Sequence, residues 1–304
     1  MKSKVLITGG AGFIGSHITD KLLQNNFDVI VIDNLTSGDI SNLPSSDNME
    51  LYKLDIADEK IEEIFQNKKP DYVIHLAAQT SVNYSIENVQ KDAELNILSS
   101  IKIIELSKKY NVKKFIAAST AAVYGIPQYL PIDENHPAQP ISPYGLSKLT
   151  MEKYIKLSSI PYIIFRFSNA FGPRQKSSKE SGVIAIFHQA MMDNQPVKIY
   201  GDGTQIRDFI YVEDIADVCA MVLKSDIKNE TLNFSTNKGC TLNELFNKMK
   251  ASYNYKKDAE YLPARKGDIK DSILSNKKIL SFNKDIKFTS LSDGIEKLKN
   301  HYTK

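Results

Sequence analysis

Cysteine is scarce in this chain. Only Cys219 and Cys240 occur among 304 residues, in neither a CxxC nor a Cys/His ligand spacing. That leaves no sequence basis for a disulfide framework or a metal site, and the apolar helical stretch around Cys219 marks it as a small core residue. Long apolar runs are also missing: none reaches the 18 residues of a membrane span. The first residues lead at once into an apolar strand pattern rather than a secretion leader, so a cytoplasmic protein with no membrane partner is expected. A one-signed charge stripe is absent as well. Lys+Arg total 39 against 36 Asp+Glu, a net charge of +3 that is interleaved along the chain. Pairs such as Lys68-Lys69, Lys113-Lys114 and Lys256-Lys257 read as solvated surface, so nucleic acid is not an expected partner.

What is present is alternation. Val5–Thr8, Phe27–Ile32, Leu51–Ile56, Tyr72–Leu76, Phe115–Ala118 and Tyr162–Phe165 are short apolar runs rich in β-branched residues, the pattern of buried parallel strands. Helical spacing of apolar residues separates most of them, over Phe13–Leu23, Glu59–Asn67, Val89–Lys109 and Tyr144–Leu157. Strand and helix in alternation predict an α/β fold with a doubly wound parallel sheet. From about Asn169 the pattern loosens into loops and short helices. The division expected is residues 1–168 as a Rossmann-type dinucleotide domain and 169–304 mainly as a smaller substrate domain, with some segments returning to the first.

Between the first strand and helix lies Gly9-Gly10-Ala11-Gly12-Phe13-Ile14-Gly15. Glycine is needed where backbone turns tightly and approaches a pyrophosphate. The helix that follows aims its free N–H groups and positive dipole end at the same place. Asp33 ends the second strand 18 residues after Gly15. A carboxylate there accepts from ribose hydroxyls and repels a 2′-phosphate, which favours NAD over NADP; otherwise it is a plain strand-end turn residue. Asp55 and Ile56, read as closing the third strand, are placed to meet an adenine edge.

Tyr144-Gly145-Leu146-Ser147-Lys148 comes about 130 residues later, after Ser119-Thr120. Tyr144 and Lys148 are four apart on a predicted helix and share a face. A tyrosine is a poor base near its usual pKa of about 10. A cation nearby favours the phenolate, and both Lys148 and an oxidised nicotinamide are cations. Tuned in this way, Tyr144 serves as a general acid or base near neutral pH. Thr120, at the end of the fifth strand, is placed to align the reacting oxygen.

With these residues in view, the chain resembles the extended short-chain dehydrogenases/reductases, the nucleotide-sugar epimerase/dehydratase group. Nearest in likeness are the UDP-glucose and UDP-N-acetylglucosamine 4-epimerases. The matching segments run nearly end to end: Thr8–Gly15, Asp33-Asn34-Leu35, His75–Gln79, Asn96, Ser119–Gly125, Tyr144–Lys148, Arg166–Asn169, Arg207–Val212 and Arg265–Asp268. The resemblance implies NAD as cofactor, held by Gly9, Gly12, Phe13, Ile14, Gly15, Asp33, Asn34, Ser37, Gly38, Asp55, Ile56, Leu76, Ala77, Ala78, Asn96, Tyr144 and Lys148. It implies a catalytic set of Thr120, Tyr144 and Lys148. A UDP-sugar would meet Thr120, Tyr144, Asn169, Val183, Tyr200, Arg207, Arg265, Asp268 and Ser272, with Arg207 and Arg265 clamping the diphosphate, as suits bidentate guanidinium groups. Tyr200 is either the residue that stacks on uracil or a core strand residue. A homodimer is implied, paired through the helices at Val89–Lys109 and Ser142–Leu157.

Sister activities are separated by two positions. Dehydratases of the group carry an Asp-Glu pair, and some other members a Glu, after the threonine; here Ala121-Ala122 stand there. C4 epimerisation needs no further carboxylate, only removal of hydride from C4, rotation of the 4-keto sugar and return of hydride to the other face. Four residues after Asp268, where some members place a bulky tyrosine beside the sugar 2-substituent, stands Ser272, which leaves room for an N-acetyl group. UDP-glucuronate is an alternative substrate. A nucleotide-sensing regulator would have lost Tyr144 or Lys148, and an NADPH reductase is disfavoured by Asp33. Phe167 replaces a tyrosine found in related epimerases, removing one hydroxyl near the cofactor.

Overall fold

The computed structural model describes residues 2–177, 182–264 and 269–303. β1 (Lys4–Thr8) leads through the glycine turn to α1 (Phe13–Gln24), then β2 (Asp28–Ile32), β3 (Met49–Tyr52), α2 (Ile61–Lys68) and β4 (Tyr72–His75). Helices α3 (Val82–Glu87) and α4 (Val89–Ala93), a π-helical turn at Glu94–Leu98 and α5 (Ser99–Lys109) lead to β5 (Lys114–Thr120). After α6 (Pro143–Leu157) come β6 (Tyr162–Phe167), β7 (Asn169–Phe171), α7 (Val183–Met192), β8 (Lys198–Tyr200) and β9 (Ile206–Tyr211). The chain continues through α8 (Val212–Lys224), β10 (Glu230–Phe234), β11 (Gly239–Thr241), α9 (Leu242–Ser252), β12 (Glu260–Leu262), β13 (Asp271–Ser272), α10 (Lys277–Phe282) and α11 (Leu291–Tyr302).

The central sheet is parallel, in the order β10-β6-β5-β4-β1-β2-β3. Side chains alternate across it, as the pleat requires. Val5 and Ile7 face one apolar layer with Ile18, Leu22, Ile215 and Val222 of α1 and α8. Leu6 faces the other, with Ile61, Phe65, Ile103 and Met151 of α2, α5 and α6. Helices on both faces of a parallel sheet make the doubly wound Rossmann-type fold. Strand order reverses between β1 and β4, and the crevice beyond the carboxyl ends of such neighbours is where open α/β sheets bind ligands.

A smaller sheet, β11-β9-β13 with β7 also paired to β9, is entered through β7 directly after the carboxyl end of β6. Its core is Phe171, Phe187, Tyr211, Leu245, Met249 and Ile295. β8 and β12 form a separate parallel pair.

Two sequence boundaries need correction. The third strand stops at Tyr52, not Ile56, because Asp55 turns the chain: its carboxylate accepts from the Ala57 N–H and its carbonyl from the Asp58 N–H. Asp55 and Ile56 therefore lie in the turn after the strand. The long helix expected over Val89–Lys109 is interrupted by the π-helical turn that contains Asn96.

Candidate active site

The glycine turn packs against the end of β4. Gly9 has φ +74°, and a Cβ on it would stand 2.8 Å from the Ala77 nitrogen. A Cβ on Gly15 would overlap the Gly9 carbonyl oxygen. At both positions glycine permits a close approach that a Cβ would prevent. Opposite them, the Leu76 and Ala77 N–H groups donate to the Thr8 carbonyl (3.1 and 3.0 Å) and, more weakly, to Thr8 Oγ1.

A buried chain of hydrogen bonds sets this edge. Ser100 Oγ donates to the Asn96 carbonyl at 2.8 Å, so it accepts from His75 Nε2 at 2.9 Å, and His75 Nδ1 then accepts from Thr8 Oγ1 at 2.8 Å. Burial, with the Lys148 charge adding to it, pushes His75 down to about 3. His75 is thus a neutral spacer holding Leu76-Ala77-Ala78 at the turn.

Asp33 is 7% exposed. One carboxylate oxygen accepts from the Ala11 N–H (2.9 Å) and the other from the Leu35 N–H (2.8 Å). The Ala11 carbonyl accepts from the Asp39 N–H and Asn42 Nδ2, so the loop bearing Asn34, Ser37 and Gly38 folds back onto the glycine turn. Asn34 Nδ2 donates to Asp55 at 2.7 Å, which places those two side chains together.

The three candidate catalytic residues meet at the carboxyl end of β5. Thr120 ends that strand, and its Oγ1 accepts from the Ala122 N–H at 3.1 Å, capping the turn Ala121–Val123. Ser142 caps α6 by accepting from the Gly145 N–H, and Ser85 of α3 accepts from the Tyr144 N–H at 3.1 Å. Tyr144 and Lys148 lie one turn apart on the helix face turned to the sheet. Enclosure of its hydroxyl pushes Tyr144 up to about 12; a hydrogen bond with Thr120 opposes this and the Asp92 carboxylate adds to it. The expectation that Lys148 pulls the phenol down is not met in the protein alone. Desolvation pushes Lys148 itself down to about 8, against the raising effect of Glu152 and Asp92.

Asp92, Gln79, Asn96 and Ser147 form a buried cluster near these two. Asn96 Nδ2 donates to Asp92 (3.0 Å), to the Gln79 carbonyl (2.9 Å) and to Ser147 Oγ (3.3 Å), and Asn96 Oδ1 accepts from the Gln79 N–H (2.8 Å). Sequence reasoning singled out Asn96 but missed Asp92; the signal was an acid one helical turn before it on a helix, with Gln79 at the end of the motif after β4.

The substrate candidates divide. Asn169 begins β7 and its Nδ2 donates to the Asp208 carbonyl at 3.0 Å. Arg207 lies on β9, its Nη1 donating to the Ile206 and Lys270 carbonyls. Ser272 on β13 pairs in register with Arg207. Val183 opens α7, half-buried at the edge of the small core. Tyr200 ends β8 on the separate strand pair, and its carbonyl accepts from Gln205. Arg265 and Asp268 lie outside the described residues. Phe167 is a core residue, stacked on Phe165 and beside Phe234. Both cysteines are buried thiols, and burial pushes Cys219 up to about 12.

The NAD dependent epimerase/dehydratase family matches residues 5–234. The chain belongs to that family. It is 45% identical over 303 residues to a putative UDP-glucose 4-epimerase of Methanocaldococcus jannaschii, spanning 97% of each chain. Its structure is similar to that of UDP-glucose 4-epimerase from Thermotoga maritima, solved with UDP-glucose (TM-score 0.94, 40% identity, 99% of this chain and 98% of that one). It is also similar to UDP-N-acetylglucosamine 4-epimerase from Methanobrevibacter ruminantium, solved in complex with UDP-N-acetylmuramic acid (TM-score 0.92, 35% identity, 100% and 99%). NAD is the family's cofactor, and the residues here fit it. Gly9 and Gly15 let the backbone of the turn close against the end of β4 and the start of α1 with no side chain in the way, a cradle of backbone, and the Asp33 carboxylate stands beside that turn. Lys148, a residue 3% exposed, makes through its ammonium only the weak Met151 sulfur contact at 4.0 Å among the described residues, so it keeps donors for a hydroxyl-bearing ligand.

Proposed function

We propose that this chain is a UDP-hexose 4-epimerase that accepts N-acetylated as well as plain hexoses. The observation that carries the reading is the grouping of Thr120, Tyr144 and Lys148 at one strand end with Ala121-Ala122 where dehydration would need an acid. Bound NAD supplies reversible hydride acceptance at its nicotinamide ring. Tyr144 Oη takes the proton of the sugar 4-hydroxyl and later returns it to the epimerised oxygen. Thr120 Oγ1 holds that oxygen in line. Lys148, together with the positive charge of the oxidised nicotinamide when NAD is bound, is proposed to favour the ionised phenol that burial disfavours in the protein alone. A cycle in which the same groups take and return a proton regenerates itself without a second acid, which suits Ala121-Ala122.

Arg207 and Arg265 are proposed to bind the diphosphate, Asn169 to support it, and Tyr200 to meet the base. Residues 1–168 would carry most of the cofactor site and 169–304 most of the sugar-nucleotide site. A homodimer through α6 is also proposed. Leu146, Tyr154 and Leu157 form an outward stripe on that helix, 55%, 44% and 79% exposed, and Leu98, the last residue of the π-helical turn, is 62% exposed. An apolar stripe of this kind fits an interface. The reading is tested by converting UDP-galactose with protein to which no cofactor has been added, and by identifying the nucleotide released when that protein is denatured.

A further inference from the structure

Behind the candidate catalytic residues lies a buried ion pair that nothing in the proposed chemistry uses. Glu152, fully buried, follows Tyr144 and Lys148 on α6 at successive intervals of four, so the three side chains form one stripe. Its carboxylate accepts from Arg166 Nε at 2.9 Å and Nη2 at 2.6 Å, and from Ser119 Oγ at 2.5 Å. Ser119 and Arg166 are register partners on β5 and β6. The Arg166 guanidinium also stacks 4.8 Å from the Tyr124 ring centroid, and Tyr124 donates to Asn233 of β10 at 2.6 Å.

We propose that Glu152 is a positioning residue: it clamps the helix carrying Tyr144 and Lys148 to the strand end carrying Thr120. Ser119 precedes Thr120, so its hydrogen bond ties the last strand residues to the helix. The bidentate fork fixes the carboxylate in two directions, as a single hydrogen bond does not. Stability alone does not account for the pair. Replacing a buried ion pair by well-packed apolar residues is often neutral or stabilising, whereas removing one partner strands a buried charge. Geometry is what the pair provides: a reacting group misplaced by about 1 Å can cost on the order of 100-fold in rate. The proposal rests on the reading of Thr120, Tyr144 and Lys148 as the catalytic set.

Two variants test it, Ser119→Ala and the double variant Glu152→Met with Arg166→Met, each compared with the whole wild-type chain. Thermal unfolding, steady-state turnover of UDP-galactose and amide hydrogen exchange of residues 119–124 are the readouts. The clamp requires a kcat lowered roughly 10- to 100-fold with KM changed less than about two-fold, at a melting temperature close to wild type. It also requires faster exchange at 119–124 while the β1–α1 turn is unchanged. A folded double variant with wild-type kcat and exchange overturns the proposal. If the double variant does not fold, Ser119→Ala decides alone, because it cuts the strand end and leaves the ion pair intact. An inactive wild type defeats the functional reading instead, while exchange at 119–124 still tests the clamp.

Discussion

Ser272 lies beside Arg207, the two residues paired in register between β13 and β9. Register partners on neighbouring parallel strands present their side chains to the same face. The small residue expected to border the sugar 2-substituent and the cation expected to hold the diphosphate are therefore neighbours. Ser272→Tyr should abolish turnover of the UDP-GlcNAc/UDP-GalNAc pair and leave that of UDP-glucose/UDP-galactose largely intact. Separate kcat/KM values for the two pairs check this, and equal loss on both sinks the steric argument.

Tyr144→Phe removes the only group assigned to move the proton and leaves the packing of α6 in place. A loss of about 100- to 10,000-fold in kcat is expected, the usual weight of a general acid–base group. Circular dichroism and the content of bound nucleotide should match wild type. A variant within ten-fold of wild type, by the same scale, means another group carries the proton.

Gly15→Ala drives a methyl into the Gly9 carbonyl oxygen, which is backbone and has little room to move. Overpacking of this kind costs about 1–3 kcal/mol. Here the strain falls on the cradle itself, so the purified variant should hold less nucleotide than wild type, measured after denaturation. Full retention at lowered stability would place the phosphates elsewhere.

The sign of the His75 effect follows from its burial. Its folded pKa, about 3, lies below the ordinary histidine value, so between about pH 3 and 6.5 the unfolded chain binds the extra proton and the folded chain does not. Stability is fully present above about pH 6.5 and is lost as pH falls, at up to about 1.4 kcal/mol per unit from this group. His75→Gln should flatten the acid limb by close to one proton, read from urea unfolding at several pH values. An unchanged slope means that His75 is protonated in the fold.

The outward stripe on α6 gives a prediction about assembly. Leu146→Glu in a dimer joined there should yield monomer by light scattering. A variant that remains dimeric moves the interface off this helix.

Much of the architecture was legible because local signals agreed. The apolar run Val5–Thr8 and the glycines after it leave no alternative to a strand, a tight turn and a helix. β10 was not legible as a seventh strand: Glu230–Phe234 is polar at its start, and its place is set by pairing with β6, to which it has no local reference. The end of β3 was misread because Leu54 and Ile56 continue an apolar pattern that the Asp55 turn breaks. In the site, the glycines, Asp33, Thr120, Tyr144 and Lys148 were visible as motifs. Asp92, Glu152 and Ser100 were not, since acids and serines at helical spacing look like a solvated face until the fold buries them. Glu152 was the most recoverable, standing one further turn along the stripe of Tyr144 and Lys148. The pKa of Tyr144 was beyond sequence reasoning, because burial of its hydroxyl outweighs the Thr120 hydrogen bond.

The central claim, C4 epimerisation of a UDP-hexose, is tested most directly by NMR of UDP-galactose and UDP-N-acetylgalactosamine incubated separately with the purified protein. The account predicts that each is converted to its C4 epimer, with no net consumption of cofactor and no unsaturated or deoxy product. Both sugars unchanged in the presence of added NAD, or a product lacking the 6-hydroxyl, would contradict it.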